Sequence, residues 1–252
     1  MFEHLANLFR KLGILGGSLG FVTLLAWLIT VYQVRMMTEM GAASSSMGDS
    51  RATLVAFLLM WIVMIVAMMF PSAAPTILSF NRLVRQPTDR AQVLGLTGAF
   101  VMGYMIPWTI FGLFAYLAML IGKVSSQLTS FQQVSIIAIP LIAGLYQFTP
   151  LKKAFLGHHQ TRTDFMTYQG CKRFREAFSM GIHHGNHCIG TCWGLMLVLL
   201  AFDVMNLVTM VLFTIIIFVE RMTYWGFPVR HLVGVGLMGL GIWTAVQLAL
   251  TS

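Results

Sequence analysis

An all-helical bundle of about seven membrane-crossing segments is the fold class this sequence predicts. Three observations predict it. The 252 residues are 58% hydrophobic and only 10% charged, with a mean hydropathy of +0.80, whereas a soluble domain carries about 25% charged residues. Apolar stretches near the ~20 residues needed to cross hydrocarbon recur along the chain. Basic residues gather in the short segments between alternate stretches, as the positive-inside rule requires.

The first stretch, residues 12–34, is read as a retained helix, because no small-residue cleavage site follows it. The second, 52–70, is expected to end at Pro71 and Pro75. The third, 94–121, carries Pro107 and is expected to kink there. The fourth, 128–148, holds Pro140. A polar segment follows, and then come 177–202, 205–224 and 229–250. Only Asp203 separates the apolar cores of the fifth and sixth. One continuous helix there would place that acid near mid-membrane, which is costly. Two helices are therefore expected.

This count puts the N-terminus in the cytoplasm and the C-terminus outside. With that orientation, 13 of the 16 Lys and Arg fall in cytoplasmic segments, including Lys152, Arg221 and Arg230. The outer segments hold Arg35, Arg51 and Lys123. The net charge of +8 is explained by this topology, and nucleic acid is not an expected partner. The lipid bilayer is, and the location implied is the inner (cytoplasmic) membrane. No Pro-, Ser- or charge-rich linker divides residues 1–252, so one membrane domain is expected. Glycines 13, 16, 17 and 20 on the first helix, and 234, 236, 239 and 241 on the seventh, are expected to pack internally or at a subunit interface.

The stretch 180–196 reads MGIHHGNHCIGTCWGLM. Met180, His184, Cys188, Cys192 and Met196 recur every fourth residue and so share one helix face. His183 and His187 form a second pair beside it. Thioether, imidazole and thiolate donors favour Cu(I) or zinc over magnesium or calcium. The plainer alternative is that the cysteines pack as small hydrophobes. His158, His159 and Cys171 precede this helix and extend the donor set. Glu220 is read as a solvated charge at a helix end.

Methionine is abundant, with 19 in the chain. Met60, Met64 and Met68 lie at helical spacing beside Met69. Met36, Met37, Met40 and Met47 fall in the expected outer loop. Thioethers suit Cu(I), although a methionine stripe on a helix is more often core. No nucleophile triad, phosphate loop or pair of intramembrane carboxylates is present, so catalysis by this chain is not expected.

Four segments resemble the DUF2182 family of predicted metal-binding membrane proteins. They are WIVMIVAMMFPSAAP at 61–75, YQFTPLK at 146–152, CIGTCWGLM at 188–196, and MNLVTM followed by Glu220-Arg221. The family's thiols after P-L-K correspond here to Phe155 and His159, and its adjacent cysteine pair to Thr191-Cys192. The resemblance implies metal binding. Cys188, Cys192 and His187 are the first-choice ligands, then His184, His183 and His159, with Met196, Met64 and Met68 as softer candidates. Copper is the expected metal and zinc the second. The leading function is binding or transfer of Cu(I), as an accessory or assembly factor of a larger copper membrane enzyme. The alternatives are a structural subunit with a vestigial metal site, and a membrane oxidoreductase with a histidine-ligated cofactor.

Overall fold

The computed structural model describes residues 13–40, 50–84, 90–124, 129–152, 154–155, 173–202, 206–222 and 226–251. They form helices α1 (Gly13–Met40), α2 (Ser50–Val84), α3 (Arg90–Val124), α4 (Thr129–Phe148), α5 (Phe174–Phe202), α6 (Leu207–Met222) and α7 (Gly226–Thr251). The described residues contain no strand. Five of these helices, α1, α2, α3, α5 and α7, are long and apolar enough to cross a membrane. The apolar part of α4, Val134–Phe148, is shorter.

Two boundaries differ from expectation. α2 does not end at Pro71 and Pro75 but runs through both to Val84. A proline costs a helix one N–H donor and a steric clash, and apolar helices tolerate it when packing and nearby hydroxyls compensate. Here packing surrounds both prolines, with Ala67, Met68, Met69, Ser72, Ala73 and Ala74 all buried. α1 likewise continues to Met40, so Met36, Met37 and Met40 belong to a helix rather than a loop. Met47 lies outside the described residues.

The separation of α5 from α6 agrees with the two-helix reading. Asn206 begins α6 by accepting the Val208 and Thr209 N–H groups on its side-chain oxygen, at 3.0 and 3.2 Å. An asparagine N-cap satisfies donors that an apolar helix start would otherwise orphan. Asp203 and Met205 lie outside the described residues.

The chain divides into two compact units, and α3 and α5 contribute to each. The first holds α1, α2, α3 up to Thr109 and α5 up to Gly185. Its core is Trp61, Met64, Ile65, Met68 and Met69 of α2 with Phe100, Tyr104 and Trp108 of α3. The Trp61 indole donates to the Trp108 carbonyl at 3.0 Å, and Asn81 donates to the Thr97 hydroxyl at 2.9 Å. α3 and α5 meet backbone to backbone, because a Cβ on Gly103 would strike the Phe178 carbonyl and one on Gly181 the Phe100 carbonyl. Gly181 and Gly185 are thus the small-xxx-small pair that allows close approach. On α1, Gly17 and Gly20 behave otherwise, since nothing lies within 4 Å of where a Cβ of either would sit.

The second unit holds α3 from Ile110, α4, α5 from Asn186, α6 and α7. α7 packs on α4 through Gly234, set against Gln147 and Phe148, and Gly241, set against Leu141. Gly236 and Gly239 of α7 face open space. α6 turns Met210, Phe213, Ile217, Glu220 and Arg221 inward.

Candidate metal centre

The expected ligands separate into two groups. In the first unit, Met64 and Met68 are buried core residues of α2. His184 is buried among aromatic rings, 5.8 Å from Phe100 and 5.6 Å from Tyr104 between centroids. His183, its neighbour on α5, is exposed. Adjacent residues on a helix point about 100° apart, so these two cannot share one site from that helix alone.

In the second unit, Cys188 and Cys192 lie on consecutive turns of α5, 0% and 2% exposed, and neither forms a disulfide. The Cys192 thiol donates to the Cys188 carbonyl at 2.9 Å. Met196, one turn further, is also buried. His187 is half-buried, its ring 5.5 Å from that of Phe155. The same Phe155 ring covers Gly190, where a Cβ would come within 2.9–3.0 Å of it. Thus the side chain standing where the resemblance expects a thiol lies against the cysteine-bearing helix. Among the described residues, no group of three or more His, Cys, Asp or Glu side chains is placed to hold a metal. His158, His159 and Cys171 lie outside the described residues.

Three of the motif segments converge in this unit. Thr149 accepts the Lys152 N–H on its hydroxyl at 3.4 Å and, with Pro150 as the next residue, starts a short helical turn after α4. That turn places the Lys152 ammonium on both carboxylate oxygens of Glu220, at 2.8 and 3.0 Å, and on the Gln147 amide oxygen. Tyr146 donates its hydroxyl to the Gly190 carbonyl of α5 and packs edge-on against Trp193. Arg221 donates to the Cys188 carbonyl at 3.2 Å and to the Thr191 hydroxyl at 2.7 Å. The YQFTPLK segment, the cysteine helix and the Glu220-Arg221 pair therefore form one hydrogen-bonded assembly.

This corrects the reading of Glu220, which is not a solvated end charge but is 2% exposed and ion-paired with Lys152. Lys152, Arg221 and Arg230, counted among the loop cations, are buried as well. The bias of basic residues toward one side of the expected topology survives without them. Burial pushes the Lys152 ammonium below its ordinary pKa, and the Glu220 carboxylate opposes that shift. The signal for Glu220 and Arg221 lay in spacing, because they continue the buried stripe of Met210, Phe213 and Ile217. Nothing in spacing pointed to Lys152 as the partner of Glu220, 68 residues away.

A family model described as PpoB2, copper chaperone, matches residues 58–244. The chain belongs to that family. The match covers all four motif segments and supports a copper-related role, under a different family name from the one the resemblance suggested. No curated protein and no solved structure matches this member of the PpoB2 family.

Proposed function

We propose that this PpoB2 family member is a multi-pass protein of the inner (cytoplasmic) membrane that binds Cu(I) and passes it on, as an accessory or assembly factor of a larger copper membrane enzyme. The observation that carries the reading is the Cys188–Cys192 pair, buried on consecutive turns of α5 in a chain of a copper chaperone family. Neighbours at that spacing have Cβ atoms about 5–6 Å apart, so both thiolates can reach one ion. Two soft thiolates suffice for Cu(I), which accepts low coordination numbers, and a site of few ligands releases its metal more readily than a closed one of four. His187 and Met196 flank the pair and are proposed as secondary donors.

Loading exchanges two thiol protons for one Cu(I). The Cys192 thiol must then give up its hydrogen bond to the Cys188 carbonyl. Changing both cysteines to Ser is expected to abolish stoichiometric Cu(I) binding by the purified protein while leaving its helical content unchanged. Full copper content in that variant would refute the reading. The absence of a three-donor group among the described residues favours a second reading, a structural subunit with a vestigial site. It predicts no copper in the wild type.

The proposed orientation is tested separately. A reporter fused after Ser252 is expected to read the outer side, and one inserted at Thr161 the cytoplasm. A cytoplasmic C-terminus would mean that an even number of helices crosses.

A further inference from the structure

A Cu(I) ion held by two thiolates carries a net charge of −1. Starting from neutral thiols, loading is 2 RSH + Cu⁺ → Cu(SR)₂⁻ + 2 H⁺, so the site itself goes from uncharged to anionic. Cys188 and Cys192 are 0% and 2% exposed, with almost no water to offset that charge. An isolated buried anion is expensive, and a fixed cation nearby reduces the cost.

The buried charges among the described residues are the cations Lys152, Arg221 and Arg230 and the acid Glu220. Lys152 is held by Glu220 and Gln147. Arg221 reaches the turn that joins the two cysteines. Its Nη2 lies 3.2 Å from the Cys188 carbonyl and 2.7 Å from the Thr191 hydroxyl, and the same carbonyl accepts the Thr191 hydroxyl at 2.8 Å and the Cys192 thiol at 2.9 Å. Thr191 therefore both anchors Arg221 and orients it along the turn between the ligands. A guanidinium stays protonated even when buried, so its charge is present in the metal-free and the loaded protein alike. Its interaction with the thiols changes on loading, from charge–dipole to charge–charge.

We propose that Arg221 is a positioning residue of the copper site, a permanent counter-charge that stabilises the anionic Cu(I)–dithiolate and is held in place by Thr191. This rests on Cys188 and Cys192 being the Cu(I) ligands. Arg221 touches backbone and hydroxyl rather than metal, so its effect is exerted through the thiolates.

The test is Cu(I) affinity, measured on the full-length protein in detergent by competition with a chromogenic Cu(I) chelator. Arg221→Gln is expected to weaken binding about ten- to a hundredfold, the usual effect of one opposite charge at close range. Arg221→Lys keeps the charge and is expected to stay within a few-fold of wild type. A purely structural role would leave lysine as poor as glutamine, because both lack the length and planar shape of the guanidinium that fills this position. Thr191→Val keeps the helix and side-chain volume, removes the anchor, and is expected to weaken binding roughly fivefold, the worth of one hydrogen bond. It carries the test if the glutamine variant does not fold. Wild-type affinity in Arg221→Gln, equal losses in Lys and Gln, or no change in Thr191→Val would each overturn the proposal. Affinity that survives loss of both cysteines would instead overturn the ligand assignment beneath it.

Discussion

Replacing Glu220 with alanine is expected to destabilise the protein by about 3–5 kcal/mol, the usual cost of removing one partner of a buried ion pair. Lys152 and Glu220 are 0% and 3% exposed at their side chains, and the ammonium contacts both carboxylate oxygens. Without Glu220, the ammonium keeps only the Gln147 amide as a strong acceptor. The double change Lys152→Met with Glu220→Leu removes both charges and fills similar volume, so it is expected to be neutral or better. Thermal unfolding in detergent measures both. The single variant also acquires a pH dependence of known sign. Burial already depresses the Lys152 pKa, and losing the carboxylate depresses it further. Between that value and the ordinary lysine pKa the unfolded chain binds more protons than the folded one. Stability of Glu220→Ala therefore rises with pH across that window, and its deficit is deepest below it. A double variant as unstable as the single would show that the pair supports the fold through its hydrogen-bond geometry rather than through charge cancellation.

That ion pair also marks where sequence reading stopped. Apolar length located each helix, because twenty-odd apolar residues have few other uses, and the limits of α5 came within a few residues on that basis. Proline misled for α2, since the rule that it breaks a helix assumes water is available to the freed carbonyl, whereas Pro71 and Pro75 sit in a packed apolar segment. The start of α6 is legible in Asn206, whose side chain caps the helix. At the candidate centre, the four-residue spacing of Cys188 and Cys192 placed both on one helix stripe. The histidines were less legible. Sharing a short stretch with the cysteines says nothing of which neighbour each ring meets, and His184 meets Phe100 and Tyr104 while His187 meets Phe155. Lys152, Glu220 and Arg221 were visible as charges in an apolar chain. Their convergence depends on α4, α5 and α6 folding together, which no local period encodes.

Gly181→Ala is expected to destabilise the first unit by about 3 kcal/mol or more, at or above the top of the usual range for overpacking. The added methyl would collide with the Phe100 carbonyl and come within 2.9 Å of both the Phe100 carbonyl carbon and the Tyr104 nitrogen. All three are backbone atoms of α3, which no side-chain rotation can clear, so the helices must part. Separation would also loosen the neighbouring Gly185 contact, where a Cβ would lie 2.8 Å from the Tyr104 carbonyl oxygen. Gly190→Ala is the informative contrast in the second unit. The three atoms nearest its methyl would all belong to the Phe155 ring, at 2.9–3.0 Å, and a half-buried ring can move aside. A smaller loss follows, together with displacement of Phe155 from His187. Gly98→Ala completes the series, because nothing lies within 4 Å of its added carbon. There the better helix propensity of alanine acts alone, and a gain of about 0.5–1 kcal/mol is expected. Melting temperatures of the three variants in one detergent should therefore fall in the order Gly98→Ala, Gly190→Ala, Gly181→Ala. A Gly181→Ala protein as stable as wild type would mean that α3 and α5 do not pack backbone to backbone along this stretch.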